Sequence, residues 1–471
     1  MTNSLKFGTS GLRGLAVDLQ GAEARRYTTA FITYLQGLGE AVPALYLAGD
    51  YRASTQGIIA DCAAAAAEMG VPAISCGTIP TPALALHAMS AGAPSIMVTG
   101  SHIPADRNGL KFYRKSGEIS KADEAGIVAA LREAAPAGNY SEPVADEAEA
   151  ARTRYVARYR GVLAADALKG QRIGVYEHST VIRDILAEIF SGYGAEVVRL
   201  GRVEGFVAVD TEAFSDAVFA PLAGWIDENQ LDAIISADGD ADRPLLMDGQ
   251  KRFVRGDVLG LLAAQFIQSY QVVTPVTSNN AIEATGFFQA VRRTRVGSPY
   301  VIAEMEKALA EGGNAVIGFE ANGGTLLGSQ VSVGNGLSAL MTRDAVLPLL
   351  GAFGMAAREG RSVAEVVDAL PLRAAVAGRL EDVAQEKSAS LLKDLRDRGW
   401  AEKYFYPRVI ERFAEIDGLQ FWLNDGAMIH YRPSGNAPEL RCYVEAADEK
   451  QADAALDWGL TAAKKDLAAR G

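Results

Sequence analysis

Apolar positions in the first third of the chain recur in two alternating rhythms. Residues 21–38 and 54–69 repeat apolar side chains at helical spacing, with Ser54 standing where a helix cap is expected. Short apolar runs at residues 44–48, 72–76 and 95–99 read as buried strands between the helices. Strands alternating with helices predict a mostly parallel α/β sheet, with functional loops at the carboxyl ends of its strands. The same rhythm returns with strands at 172–176, 196–200 and 233–237. It returns again from Gly256, with strands at 272–277, 294–296 and 315–318.

From about Ala374 the pattern changes. A polar helix at 385–398 precedes short strands at 421–423, 428–432 and 439–445, and a closing helix covers 449–469. Residues 136–150, rich in Pro, Gly, Ala and acidic side chains, mark a boundary. The expected fold class is therefore α/β: three successive α/β domains with mixed, mainly parallel sheets, plus a C-terminal α+β domain. The predicted divisions are 1–148, 149–254, 255–371 and 372–471.

Length supports that division, because 471 residues exceed one ordinary core and suggest about three or four domains. A net charge of -12 argues against nucleic-acid partners, which need a basic face. Any phosphate-binding site must then gather its arginines locally. Cys62, Cys76 and Cys442 are odd in number and lack metal-like spacing, so free thiols in a reducing compartment are expected. The first residues show no basic segment followed by an apolar one, and no apolar run approaches membrane-spanning length. A soluble cytoplasmic protein without membrane contact is the expectation.

Two strand ends carry the chemistry. After residues 233–237 come Asp238, Asp240 and Asp242, followed at once by Arg243. Alternate carboxylates in a tight turn can converge on one hard cation, and oxygen-only ligands favour Mg²⁺, Mn²⁺ or Ca²⁺. A calcium loop of EF-hand type would need Gly and Glu where Arg243 and Gly249 stand. After residues 95–99, Gly100-Ser101-His102 places a hydroxyl where it can carry a phosphoryl group, with His102 able to orient or assist it. There is no G-x-S-x-G elbow. Asn108-Gly109-Leu110-Lys111 offers a turn and then a cation; taken singly, Lys111 reads as a surface lysine. Around Arg13, three glycines and two hydroxyls suit an anion. Glu320 and Asn322, in a glycine-bearing loop, suit sugar hydroxyls, although an ordinary turn with an Asx-type bond explains them too. Arg432, Ser434, Gly435 and Asn436 together describe a phosphate cradle.

These five loops, in this order, resemble the α-D-phosphohexomutase superfamily over essentially the whole chain. The resemblance implies four domains around a central cleft, each contributing one loop. It implies a phosphoserine at Ser101, one Mg²⁺ held by Asp238, Asp240, Asp242 and an oxygen at Ser101, and Arg243 beside the phosphoryl group. Arg13 and Lys111 match residues near the reacting serine, Glu320 and Asn322 the sugar-recognition loop, and Arg432, Ser434, Gly435 and Asn436 the distal phosphate clamp. The implied reaction interconverts hexose 6-phosphate and hexose 1-phosphate through a hexose 1,6-bisphosphate, which also serves as activator, in a monomer or dimer. Gly324 stands where many bacterial members carry histidine, so the resemblance assigns no general base there. Ile103 and Asn436-Ala437 are further departures. Mannose phosphate is the expected substrate, with glucose and glucosamine phosphates as alternatives. A metal-dependent phosphatase and a non-catalytic sugar-phosphate binder are the rival readings.

Overall fold

The computed structural model describes residues 4–8, 11–132, 145–211, 216–434 and 438–470. They form two compact units. The first comprises Met1–Thr274, Phe287–Arg292 and Gly297–Ala369; the second comprises Pro275–Gly286, Arg293–Val296 and Leu370–Gly471.

Of the four sheets formed by the described residues, two lie wholly in the first unit and a third lies in it apart from Pro275, Arg293 and Thr294. The first sheet holds β1 (Lys6–Phe7), β2 (Leu12–Leu15), β3 (Leu45–Gly49), β4 (Ala73–Ser75), β5 (Ser95–Val98), β6 (Arg107–Arg114), β7 (Gly117–Glu118) and β8 (Ala145–Asp146). Its order is β1-β2-β6-β5-β3-β4-β8, with β7 beside β6. Strands β5, β3, β4 and β8 run parallel, and β6, β2 and β1 are added antiparallel on one edge. The helices Ala22–Gly37 and Thr55–Glu68 pack on this sheet, and Phe31, Ile58, Cys62, Leu47 and Ile96 sit in the core between. Ser54 stands at the N-cap but makes no side-chain capping bond. Its hydroxyl instead accepts from Asn108 Nδ2 at 2.9 Å, which ties the helix start to β6.

The second sheet holds β9 (Arg172–Tyr176), β10 (Glu196–Leu200), β11 (Ala233–Ala237) and β12 (Pro244–Asp248) in the order β10-β9-β11-β12. The first three strands are parallel and β12 is antiparallel to β11. In the third, β13 (Gln271–Pro275), β14 (Ala290–Thr294), β15 (Val316–Phe319), β16 (Thr325–Leu327) and β17 (Leu340–Asp344) follow the order β14-β13-β15-β16-β17. The expected mixed sheets are thus present: parallel strands at the centre, antiparallel ones at an edge. The strand expected at 294–296 lies earlier, at Ala290–Thr294, where the charged pair Arg292 and Arg293 suits an edge strand.

In the second unit β18 (Ala374–Leu380), β19 (Ile410–Ala414), β20 (Leu419–Leu423), β21 (Met428–Pro433) and β22 (Leu440–Ala446) form an antiparallel sheet in the order β18-β22-β21-β20-β19. The helix expected at 385–398 is two helices, Gln385–Leu395 and Arg398–Phe405. Asp397 caps the second by accepting from the Trp400 N–H at 2.8 Å. Among the described residues no helix is long and apolar enough to cross a membrane.

Candidate active site

Three loops of the first unit occupy one topological place. Residues 99–106 join β5 to β6, residues 238–243 join β11 to β12, and residues 320–324 join β15 to β16. Each therefore leaves a central parallel strand at its carboxyl end and returns along an antiparallel neighbour. Both feet of every loop are fixed by strand hydrogen bonds, so the short polar turn between them is held in place.

Ser101 is fully buried, and its φ of 56° lies in the left-handed region. That conformation costs a non-glycine residue about 1 kcal/mol or more. Its N–H donates to Thr99 Oγ1 at 2.8 Å, and its Oγ donates to Asp238 Oδ2 at 2.5 Å. His102 Nδ1 lies 3.3 Å from the same oxygen. Burial, reinforced by Arg243, Arg13 and Lys111, pushes the His102 imidazole down to about 2, so it is neutral and able to accept a proton only transiently.

The strained loop is held by Arg52, which the sequence pattern does not mark. Its Nη2 donates to the Ser101 and Ile103 carbonyls at 3.0 and 2.6 Å, and its Nη1 to those of Pro104 and Arg107 at 2.5 and 3.0 Å. Asp50 orients the guanidinium at 3.1 Å and also accepts from Thr99 Oγ1 at 2.7 Å. The Phe206 ring lies 3.8 Å from its central carbon. The available signal was Asp50-Tyr51-Arg52 directly after β3, the parallel neighbour of the serine strand.

Asp238, Asp240 and Asp242 are completely buried, and one oxygen of each lies within 4.8 Å of the others. The turn is closed by the Asp238 N–H donating to the Arg243 carbonyl at 3.0 Å. Thr81, at the start of the helix Thr81–Ser90, donates through Oγ1 to Asp240 Oδ2 at 2.5 Å. Lys111 is not on the surface. Strand β6 buries it, and its Nζ meets Asp240 Oδ2 at 2.6 Å and Asp242 Oδ2 at 2.5 Å. Arg343, also unmarked in the sequence, reaches Asp242 Oδ2 at 2.8 Å. Burial, with Asp240 and Asp242 alongside, pushes Asp238 up to about 8. Against its own burial, Arg343, Lys111 and Arg243 pull Asp242 below the ordinary carboxylate range.

The oxygens fit a divalent cation. Asp240 Oδ1 and Asp242 Oδ1 are buried without a hydrogen-bond partner. An acceptor buried unpaired costs about 1–3 kcal/mol, more when charged. A hard cation bound by carboxylates relieves that cost.

Arg13 lies on β2, opposite Gly109 of β6, and its Nε and Nη2 are buried without a partner. Burial, and then the charges of Arg243 and Arg343, lower its guanidinium to about 10. Such donors are poised for an anion. Thr9 and Ser10 of that segment lie outside the described residues. Glu320 Oε2 is 3.7 Å from Arg343 Nη1. Asn322 Oδ1 accepts from the Gly324 N–H at 3.0 Å, the Asx-type bond of an ordinary turn. In the second unit, Arg432 Nε donates to Asp417 Oδ2 at 2.7 Å, and the Ser434 N–H donates to the Glu439 carbonyl at 2.9 Å. Gly435 and Asn436 lie outside the described residues.

Comparison with known proteins extends these observations. Residues 4–137, 255–373 and 372–457 match the family models of phosphoglucomutase/phosphomannomutase for alpha/beta/alpha domain I, alpha/beta/alpha domain III and the C-terminal domain, respectively. A phosphomannomutase of Sinorhizobium fredii (strain NBRC 101917 / NGR234) is 46% identical over 464 residues, covering 97% of this chain and 98% of that protein. One from Salmonella muenchen is 42% identical over 458 residues, covering 96% and 94%. The crystal structure of a phosphoglucomutase/phosphomannomutase family protein from Burkholderia thailandensis superposes with a TM-score of 0.76 at 20% identity, covering 97% of each chain. Likeness that runs from end to end at such identity leaves one assignment: the chain belongs to the phosphoglucomutase/phosphomannomutase family, within the α-D-phosphohexomutase superfamily.

Proposed function

We propose that this enzyme interconverts mannose 6-phosphate and mannose 1-phosphate through a phosphorylated Ser101 and mannose 1,6-bisphosphate. The observation that carries the reading is the Ser101 hydroxyl 2.5 Å from Asp238 inside a buried carboxylate triad. The two relatives named phosphomannomutase support mannose as the sugar.

In the first transfer the bond between Ser101 Oγ and phosphorus breaks as a sugar hydroxyl oxygen bonds to phosphorus; in the second, the bisphosphate's other sugar oxygen–phosphorus bond breaks as Oγ bonds to phosphorus again. In the first the sugar hydroxyl releases one proton and Oγ takes one up; in the second Oγ releases it and the freed sugar oxygen takes one up. Neutral His102, 3.3 Å from Oγ, is placed to relay a proton at that oxygen in passing rather than to store it. Asp238, Asp240 and Asp242, with an oxygen at Ser101, would hold Mg²⁺, which when bound offsets charge on the transferring phosphoryl oxygens. Arg13, Lys111 and Arg243 add fixed positive charge around the same oxygens. Glu320 and Asn322 orient the sugar, and Arg432 and Ser434, with Gly435 and Asn436, bind the phosphate that is not reacting. Hexose 1,6-bisphosphate would serve as activator and the cytoplasm as the setting, with domains at 1–148, 149–254, 255–371 and 372–471.

Complete burial of Ser101 favours a mutase over a phosphatase, because water must be kept from the phosphoserine. The test is a coupled assay with Mg²⁺ and an activating bisphosphate, offered mannose, glucose and glucosamine phosphates in turn. Mannose phosphate should turn over fastest, and Ser101→Ala should abolish turnover. Predominant release of free phosphate would overturn the reading, and preference for another sugar would correct the substrate.

A further inference from the structure

Arg343 belongs to none of the loops discussed, yet it lies between them. It sits near the end of β17, where alternation along the strand sends neighbouring side chains to opposite faces. On one face Asp344 accepts from the Tyr155 hydroxyl at 3.0 Å and from that of Tyr159, both on the helix Ala148–Tyr159. On the other, the Arg343 guanidinium, 2% exposed, reaches three carboxylates from three segments. They are Asp242 Oδ2 of the triad at 2.8 Å, Glu118 Oε1 of β7 at 3.2 Å and Glu320 Oε2 of the 320–324 loop at 3.7 Å. The stem of this arginine also explains Gly324. A Cβ there would lie 2.8 Å from Arg343 Cδ, closer than real side chains come, and 3.0 Å from Cγ.

We propose that Arg343 is a positioning residue that couples the metal-binding triad to the sugar-recognition loop, so that a divalent cation and a hexose phosphate bind with linked affinities. One planar fork can hold Asp242 and Glu320 together, which a point charge cannot. A sugar hydroxyl that fixes Glu320 also fixes Arg343, and through it the Asp242 carboxylate. The inference rests on the assignment of those two loops under the proposed function.

The test uses full-length protein and calorimetric titration of Mg²⁺, with and without saturating mannose 1-phosphate, beside the isomerisation assay. In the wild type each ligand should tighten the other roughly fivefold or more, and by the same factor in both directions. Arg343→Ala should erase that factor and weaken both bindings. Arg343→Lys should retain most of the Mg²⁺ affinity while losing the linkage, and it decides the matter should the alanine variant fail to fold. Gly324→Ala should mimic Arg343→Ala in the wild-type background and add nothing to it in the double variant. Linkage absent from the wild type, or unchanged in the lysine variant, overturns the inference. Loss of isomerisation with linkage intact would instead refute the proposed reaction and leave the coupling standing.

Discussion

Four carbonyl oxygens of residues 101–107 converge on the guanidinium of Arg52. Removing it frees the serine loop without deleting any group proposed to react. Arg52→Ala is expected to lower kcat by about 10²-fold, the cost of misplacing a reacting atom by roughly 1 Å, with KM little changed. Arg52→Lys should recover little, because an ammonium cannot span four carbonyls; steady-state kinetics that find a normal kcat would remove Arg52 from its role. His178 and His430 provide a different readout. Both are fully buried, and burial lowers each to about 4, with Arg183 adding to the effect at His178. The unfolded chain, titrating near 6.5, then binds more protons than the folded one between pH 6.5 and 4. Their contribution is present above pH 6.5 and lost as pH falls towards 4, on the order of 3 kcal/mol each. Unfolding midpoints should fall steeply across that window, and His178→Asn should flatten the slope; a midpoint insensitive to pH would refute the assignment. At this scale the sequence is an uneven guide. Ser101 and the three aspartates announce themselves because polar groups interrupt apolar strand ends. Lys111 and Arg343 do not, because what defines them is the set of distant carboxylates they meet.

Strand β6 shows why elements that serve a site are hard to read. Asn108, Gly109 and Lys111 are poor strand formers, and Asn108-Gly109 reads as a turn; yet residues Arg107–Arg114 form one strand. Asn108 bonds Ser54, Lys111 bonds the triad, and Gly109 allows β2 to come close. A Cβ on Gly109 would lie 2.4 Å from the Leu12 carbonyl oxygen. Gly109→Ala should therefore push β2 away, destabilise the first unit by about 1–3 kcal/mol and displace Arg13, measurable as a lower denaturation midpoint and a weaker affinity for sugar phosphates. Unchanged values would mean that the edge is looser than its geometry implies. Elements free of such duties match expectation residue for residue, as at Arg172–Tyr176, Glu196–Leu200 and Glu449–Ala469. There hydrophobic period alone decides the structure.

For the whole molecule, alternation of strands and helices announced the α/β class, and the change after Ala374 announced a different C-terminal architecture. What the pattern could not supply is which loops meet, since Ser101 and Asp238 are separated by 137 positions. Two outcomes belong to this scale. Chelation of divalent ions should abolish turnover reversibly, with Mg²⁺ restoring it; turnover that survives chelation would deny the triad its role. Arg432→Ala should raise KM for both monophosphates about tenfold or more, the worth of a charged hydrogen bond, and equal KM values would refute the clamp. The repeated hairpin placement of the loops has an engineering consequence as well. With Phe319 and Thr325 locked as partners across the base, the five residues between them form an interchangeable cassette. Grafting the equivalent pentapeptide from a relative of different sugar preference, with Glu320 and Gly324 retained against Arg343, should retarget the enzyme while the Arg343–Asp242 contact stays in place.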